Sequence, residues 1–272
     1  MINEYLMCKI SIGLAGFFYK DWIGNFYPKN LENNKYLEYY SKFFDIIEIN
    51  STFYNLPSEG TVLNWKNQVP DNFRFIIKIW KKITHEFNES DISSRVILFF
   101  NRMANLKEKI AAFLIQFPPW FKYSDKNLKQ LMFILNEFPP NYNYIIELRD
   151  DSWFKLNILS KFIDGSKKIL GTTYIPQLTP FYLANQKTYY IRLIGNRELT
   201  LFNRIQREQT DAISNLYKEI QKLKNNSKVH EIFIIVNNHF QGNAPESANL
   251  LKKMFNLQFK SFNQQKKLSD YL

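Results

Sequence analysis

Metal-binding and redox-active side chains are scarce in this sequence. One cysteine, Cys8, stands among 272 residues, so no internal disulfide can form and a zinc site built on several thiolates is excluded. A lone thiol suits a reducing compartment, and a cytoplasmic location is the expectation. Three histidines, His85, His230 and His239, leave few ligands for a transition metal. Long apolar runs are missing as well. No uncharged stretch reaches the ~18 residues of a membrane span. The opening MINEYLMCKISIGLAGFF is broken by Glu4 and Lys9 and lacks the pattern of a secretory signal. The 8 glycines and 10 prolines gather into no linker, so a single domain over 1–272 is expected. There is no GxSxG elbow, P-loop or GxGxxG turn, and Cys8 lies before the first strand, a poor place for a nucleophile.

Apolar and basic residues are abundant. A hydrophobic fraction of 45%, with 17% aromatic, can fill a large core. Thirty-six Lys and Arg against 25 Asp and Glu give a net charge of +11, which favours anionic partners: nucleic acid or an anionic small molecule such as a phosphorylated metabolite. The charges are dispersed along the chain rather than gathered in one block.

Eight short apolar runs read as buried strands: 9–15, 46–50, 73–79, 111–117, 144–148, 168–173, 188–194 and 231–238. Helical spacing fills most of the intervals. Tyr36, Leu37, Tyr40, Phe43 and Phe44 share one face; Leu128, Leu131, Met132 and Leu135 share another; 209–223 and 246–254 are further amphipathic candidates. Eight strand–helix units in this length predict an α/β fold, a (β/α)8 TIM barrel with a closed parallel sheet. Pro176 and Pro180 predict an irregular connection between strands six and seven.

The polar residues of these runs sit late. Glu48 and Asn50 close strand two, Lys78 strand three, Gln116 strand four, Glu147 and Arg149 strand five, Arg192 strand seven, and Asn237 and Asn238 strand eight. Side chains alternate along a strand, so Glu48 with Asn50, and Glu147 with Arg149, face inward while Ile47, Ile49, Ile146 and Leu148 face the helices. In a closed barrel, inward residues at the C-terminal ends meet at the mouth where such enzymes place their chemistry. The structural alternative is a buried ion-pair lattice that closes the barrel top.

The segment NNHFQGNAPESANLL adds a second cluster. Asn243 is placed as a helix N-cap, Pro245 in the first turn and Glu246 at the capping-box position, so free amides near Gly242 and Asn243, with Asn237, Asn238 and His239, are expected to cradle an anion. Aromatics crowd the same connections, as stacking platforms or, for most of them, as packing. One metal ion could be held by His85, His239, Glu48 and Glu147, but Lys78, Arg149 and Arg192 compete for those carboxylates; no metal and no cofactor is predicted. Metal-independent acid–base or electrophilic chemistry is the expectation. Glu48 or Glu147 serves as base, Lys78 and the arginines hold an anionic group, and the amides orient it. A non-catalytic nucleic-acid binder is the alternative. Membrane association is not expected.

The blocks IGLAGFFYKDWIGNFYP, EINSTFY, ITHE, LIQFPPWF, IIELRDDSWF, YYIRLIG and VNNHFQGNAPESA together resemble the domain-of-unknown-function 72, or YecE-like, family over almost the whole chain. The resemblance implies a TIM barrel and no settled activity. Glu48, Asn50, Tyr54, Lys78, His85, Gln116, Glu147, Arg149, Arg192, Asn237, Asn238 and His239 match its pattern. Leu14–Phe17 stand where a Thr-Ser-Gly-Trp-like run is usual, Asn55 stands for Arg, Asp150 for His, and Ile194 for the His of an RLHG pattern.

Overall fold

The computed structural model describes residues 8–262. Eight parallel strands close into a barrel in chain order, with β1 pairing to β8. They are β1 (Lys9–Ala15), β2 (Ile46–Ile49), β3 (Arg74–Lys78), β4 (Ile110–Gln116), β5 (Tyr144–Glu147), β6 (Lys168–Tyr174), β7 (Thr188–Leu193) and β8 (Glu231–Val236). The fold is the (β/α)8 barrel that the alternating apolar runs predict. Each run became a strand because β-branched and aromatic side chains pack on both faces of a fully covered sheet.

The connecting helices are α1 (Tyr36–Tyr40), α2 (Ser51–Tyr54), α3 (Glu59–Asn67), α4 (Lys81–Thr84), α5 (Ile92–Met103), α6 (Asp125–Glu137), α7 (Leu156–Leu159), α8 (Thr210–Lys224), α9 (Asn238–Gln241) and α10 (Ala244–Met254). Local chemistry sets several starts. Ser58 accepts from the Thr61 amide ahead of α3, and Ser124 from the Asn127 amide ahead of α6. The expected apolar face of α6 needs one correction. Met132 is 37% exposed and Ile134 takes a buried place beside Leu128, Leu131 and Leu135.

No helix joins β6 to β7. Pro176 and Pro180 remove amide donors there, and Gln177 and Asn185 adopt left-handed backbone at φ 69 and 65. Gln186 replaces the lost helix cover with side-chain bonds. Its Oε1 accepts from the Leu170 amide at 2.6 Å, and its Nε2 donates to the Leu170 carbonyl at 3.2 Å.

Alternation sorts each strand between two layers. Ile47, Ile49, Ile146 and Leu148 join the outer layer beneath the helices. Ile46, Ile76, Leu114, Ile145, Tyr190 and Ile235 fill the barrel interior. Gly13 is required at the β1–β2 seam, where a Cβ would lie 2.3 Å from the Ile46 carbonyl oxygen. Among the described residues no helix is long and apolar enough to cross a membrane.

Candidate active site at the barrel mouth

The last inward layer of the barrel is charged. Glu48, Lys78, Gln116, Glu147 and Arg192 close β2, β3, β4, β5 and β7, and all are buried. Arg192 ties the layer together. Its guanidinium donates to Glu48 Oε1 at 2.5 Å, to Glu147 Oε2 at 3.2 Å and to Asn50 Oδ1 at 3.1 Å. Tyr190, one inward position earlier on β7, donates its hydroxyl to Glu48 Oε2. Arg149 bonds Glu147 Oε1 through Nε at 2.7 Å and Nη2 at 2.6 Å. Burial alone would push the Glu147 carboxyl up, but Arg149, Arg192 and Lys78 outweigh it and hold the acid below its usual range. Burial acts against the Arg192 charge, yet Glu48 and Glu147 keep that group firmly protonated.

These contacts show what surrounds Glu48 and Glu147, the two acids expected to supply a base. Both carboxylates are fully buried and occupied by guanidinium and phenol donors. They form a floor that orients Arg149 and Arg192.

Lys78 differs from the arginines. Among the described residues it has no carboxylate within ion-pair distance. Its Nζ donates to Gln116 Oε1 at 2.7 Å and rests 3.9 Å from the centroid of the Phe53 ring. Gln116 is held in turn by donating to the Phe117 carbonyl at 2.5 Å. Burial first, then the positive charge of Arg192, lowers the Lys78 ammonium to about 7, and Glu147 and Glu48 only partly offset this. The geometry has a local origin. Thr52, in the first turn of α2, donates its hydroxyl to the Lys78 carbonyl at 2.7 Å, which docks α2 and brings Phe53 beneath the amine.

A cavity of about 630 Å³ opens above this floor. Lys78, Gln116 and Arg149 reach it from below, and Tyr54 and His85 from one side. The opposite wall comes from connections that sequence reasoning did not single out: Ile175–Gln177 after β6 and Asn196–Glu198 after β7. Ile194 also lines it, where the family pattern has His. Burial, then the charges of Lys78 and Arg149, lowers His85 to about 4, so it is a neutral imidazole at pH 7. His85 Nδ1 and the Thr84 hydroxyl are hydrogen-bonded at 2.8 Å. Glu198, the acid on the wall, is paired with Arg207 at 2.8 Å. The cavity is therefore cationic overall.

The loop after β8, expected to cradle an anion, uses most of its donors and acceptors internally. Asn237 spends its side chain on the His239 amide at 3.0 Å. Asn238 Oδ1 accepts from Trp22 Nε1 and from the Ala244 amide, both at 3.0 Å, and Asn243 Oδ1 accepts from the Glu246 amide at 2.9 Å. Pro245 has no amide to offer and the Gly242, Ala244 and Glu246 amides are taken, while Asn238 Nδ2 is buried without a hydrogen-bond partner among the described residues. Gly242 is roofed by the β7–α8 connection, with Arg204 O only 2.7 Å from where a Cβ would sit. His239 packs edge-on against Phe202 of the same connection. These residues tie β8 to the β1 loop and do not line the cavity. Asn238→Ala leaves two buried donors without an acceptor and is expected to lower stability by about 2–4 kcal/mol. Urea unfolding measures it, and a loss under about 1 kcal/mol contradicts this role.

Most loop aromatics are packing. Trp22, Tyr27, Phe121 and Trp153 are buried, whereas Tyr54 at 62% and Trp120 at 66% exposure stand free on the rim. Tyr190 was missed although a signal existed: it lies two residues before Arg192 and so shares its inward face. Phe53 carried no such signal, because its place under Lys78 depends on how α2 docks.

A closed parallel barrel of eight strands with helices between them, carrying a buried ion lattice at its C-terminal mouth, defines the class: a (β/α)8 TIM-barrel protein. The family described as "Protein of unknown function DUF72" matches residues 11–270, and the chain belongs to it. UPF0759 protein YunF of Bacillus subtilis is 23% identical over 277 residues, spanning 92% of this chain and 96% of that one. UPF0759 protein YecE of Escherichia coli K12 is 33% identical over 118 residues, 43% of each chain. The crystal structure of a DUF72 family protein from Thermotoga maritima superposes with a TM-score of 0.75 at 25% identity, covering 91% of this chain and 99% of that one. One from Enterococcus faecalis gives 0.73 at 24% identity, covering 95% and 100%.

Proposed function

We propose that this protein is a metal-independent enzyme that binds a small anionic substrate at the barrel mouth, with Lys78 as its working group and Arg149 as its anion anchor. The observation that carries the reading is the placement of Lys78: a buried amine without a carboxylate partner among the described residues, opening on a cationic cavity. A structural lysine at such a depth is normally paired, because burying an uncompensated ammonium costs several kcal/mol. A perturbed amine in a cleft is a functional-site candidate, because catalytic groups need pKa values matched to their task. Metal independence is supported by the donor set. Both floor carboxylates already answer guanidinium groups, and the surrounding cations repel a further cation.

The test is titration of the protein with small carboxylates and phosphate monoesters, read through the fluorescence of Trp120, whose ring lies 6.5 Å from His85. Saturable binding is expected, unchanged by EDTA and weakened about tenfold or more in Arg149→Met, the loss expected when a charged hydrogen-bond partner of a ligand is deleted. Equal responses from wild type and variant to every anion would defeat the reading.

A second reading, a nucleic-acid binder, is favoured by exposed Tyr54 and Trp120 on a chain of net charge +11. It separates from the first by salt. Oligonucleotide affinity should fall steeply with ionic strength across many Lys and Arg positions, while a single buried anchor responds weakly.

A further inference from the structure

We propose that Lys78 acts as a covalent nucleophile, forming an imine with an aldehyde or ketone that carries a carboxylate or phosphate. The inference rests on the proposed anion site and deepens it by naming the reacting group of the substrate.

Three features of geometry act together at Lys78. First, its Nζ has one strong hydrogen bond, to the neutral amide of Gln116, so no carboxylate holds its charge. Second, the face of Phe53 lies against it at 3.9 Å and keeps that side dry. Third, both neighbouring acids are held by arginines, and Arg149, bound to Glu147 through Nε and Nη2, lines the cavity with Arg197, so both guanidinium groups can meet a substrate's own negative group. The electrostatics agree with this geometry. With its ammonium near 7, Lys78 at neutral pH carries on the order of a thousand times more free amine than an exposed lysine. The charged groups facing it are Arg192, Arg149, Glu147 and Glu48 of the floor lattice, and His85, a neutral imidazole at pH 7, lines the same cavity.

In the reaction the amine lone pair forms a C–N bond while the carbonyl π pair moves onto oxygen. A proton passes from nitrogen to that oxygen through water in the open cavity, giving a carbinolamine. The nitrogen lone pair then forms C=N as the C–O bond breaks, and the oxygen leaves as water with a second proton from solvent. The product is a protonated imine. Its positive charge replaces that of the former ammonium, so the floor sees no net change, and the substrate anion pairs with Arg149. The protonated imine is an electron sink for proton abstraction or C–C cleavage at the adjacent carbon.

The experiment uses the intact chain with glyoxylate, the smallest carbonyl that bears a carboxylate, and cyanoborohydride at pH 7. Hydride addition to the imine leaves a stable secondary amine, and peptide mass spectrometry locates it. Lys78 is expected to be labelled about tenfold or more faster than any exposed lysine. Uncharged acetaldehyde should keep only the part of that preference that comes from the free amine and so label Lys78 less selectively than glyoxylate does, and excess inorganic phosphate should suppress the glyoxylate adduct. The phosphate competition gives a readout that does not depend on a variant folding. Labelling of Lys78 no faster than of exposed lysines overturns the covalent step. If Trp120 still reports Arg149-dependent anion binding in that case, the anion-site reading stands and only the imine fails. Without either signal, both fall together.

Discussion

Arg192→Met is expected to destabilise the protein by about 3–5 kcal/mol at pH 7. The side chain bridges Glu48, Glu147 and Asn50, and both acids are fully buried. Methionine fills most of the arginine stem but supplies no donor. Arg149 still neutralises Glu147, so the main burden falls on Glu48, left with the Tyr190 hydroxyl and no cation. An ionised carboxylate buried without a cation is costly, and protonation relieves that cost as the pH falls. The deficit of Arg192→Met relative to wild type should therefore be largest near pH 7 and shrink toward pH 4.5. Guanidinium or urea unfolding of both proteins at the two pH values measures this. A deficit below about 1 kcal/mol, or one that grows on acidification, would refute the lattice as described.

Lys78→Met carries the opposite sign. The folded ammonium titrates near 7 against an ordinary 10.5, so the unfolded chain binds a proton more readily than the folded one between those values. The penalty is complete below about pH 7 and fades as pH rises toward 10.5. Removing the amine should stabilise the fold by up to about 5 kcal/mol at pH 6 and by about 2 kcal/mol at pH 9. Losing the donor to Gln116 subtracts about 1–2 kcal/mol at every pH, so the pH dependence is the cleaner readout. A gain near 3 kcal/mol larger at pH 6 than at pH 9 is the expected result. Unfolding curves of wild type and variant that differ by the same amount at both pH values would show an ordinary amine. A stabilising deletion in a cavity is the mark of a residue kept for work rather than for folding.

Much of this site was legible before any coordinates. Alternation along IIEIN and YIIEL placed Glu48 and Glu147 inward and their isoleucine and leucine neighbours outward, because a fully covered strand presents its side chains to two different environments. Pro176 and Pro180 announced the missing helix between β6 and β7 for an equally local reason, the absence of amide donors. Met132 went astray because helical spacing states which residues share a face but not how wide the buried stripe is. The state of the amides near Gly242 was illegible for a different cause. A capped helix start looks the same in sequence whether its amides are free or taken, and here Asn238, six residues before Ala244, takes one of them.

What the amino-acid order determined by itself is the barrel and the set of polar residues aimed at its mouth, since both follow from periodicity over a few residues. The division of labour among those residues was decided only in three dimensions. Glu48 is neutralised by an arginine 144 positions away while Lys78 is left with an amide, and Coulomb energy depends on distance across the closed ring rather than along the chain.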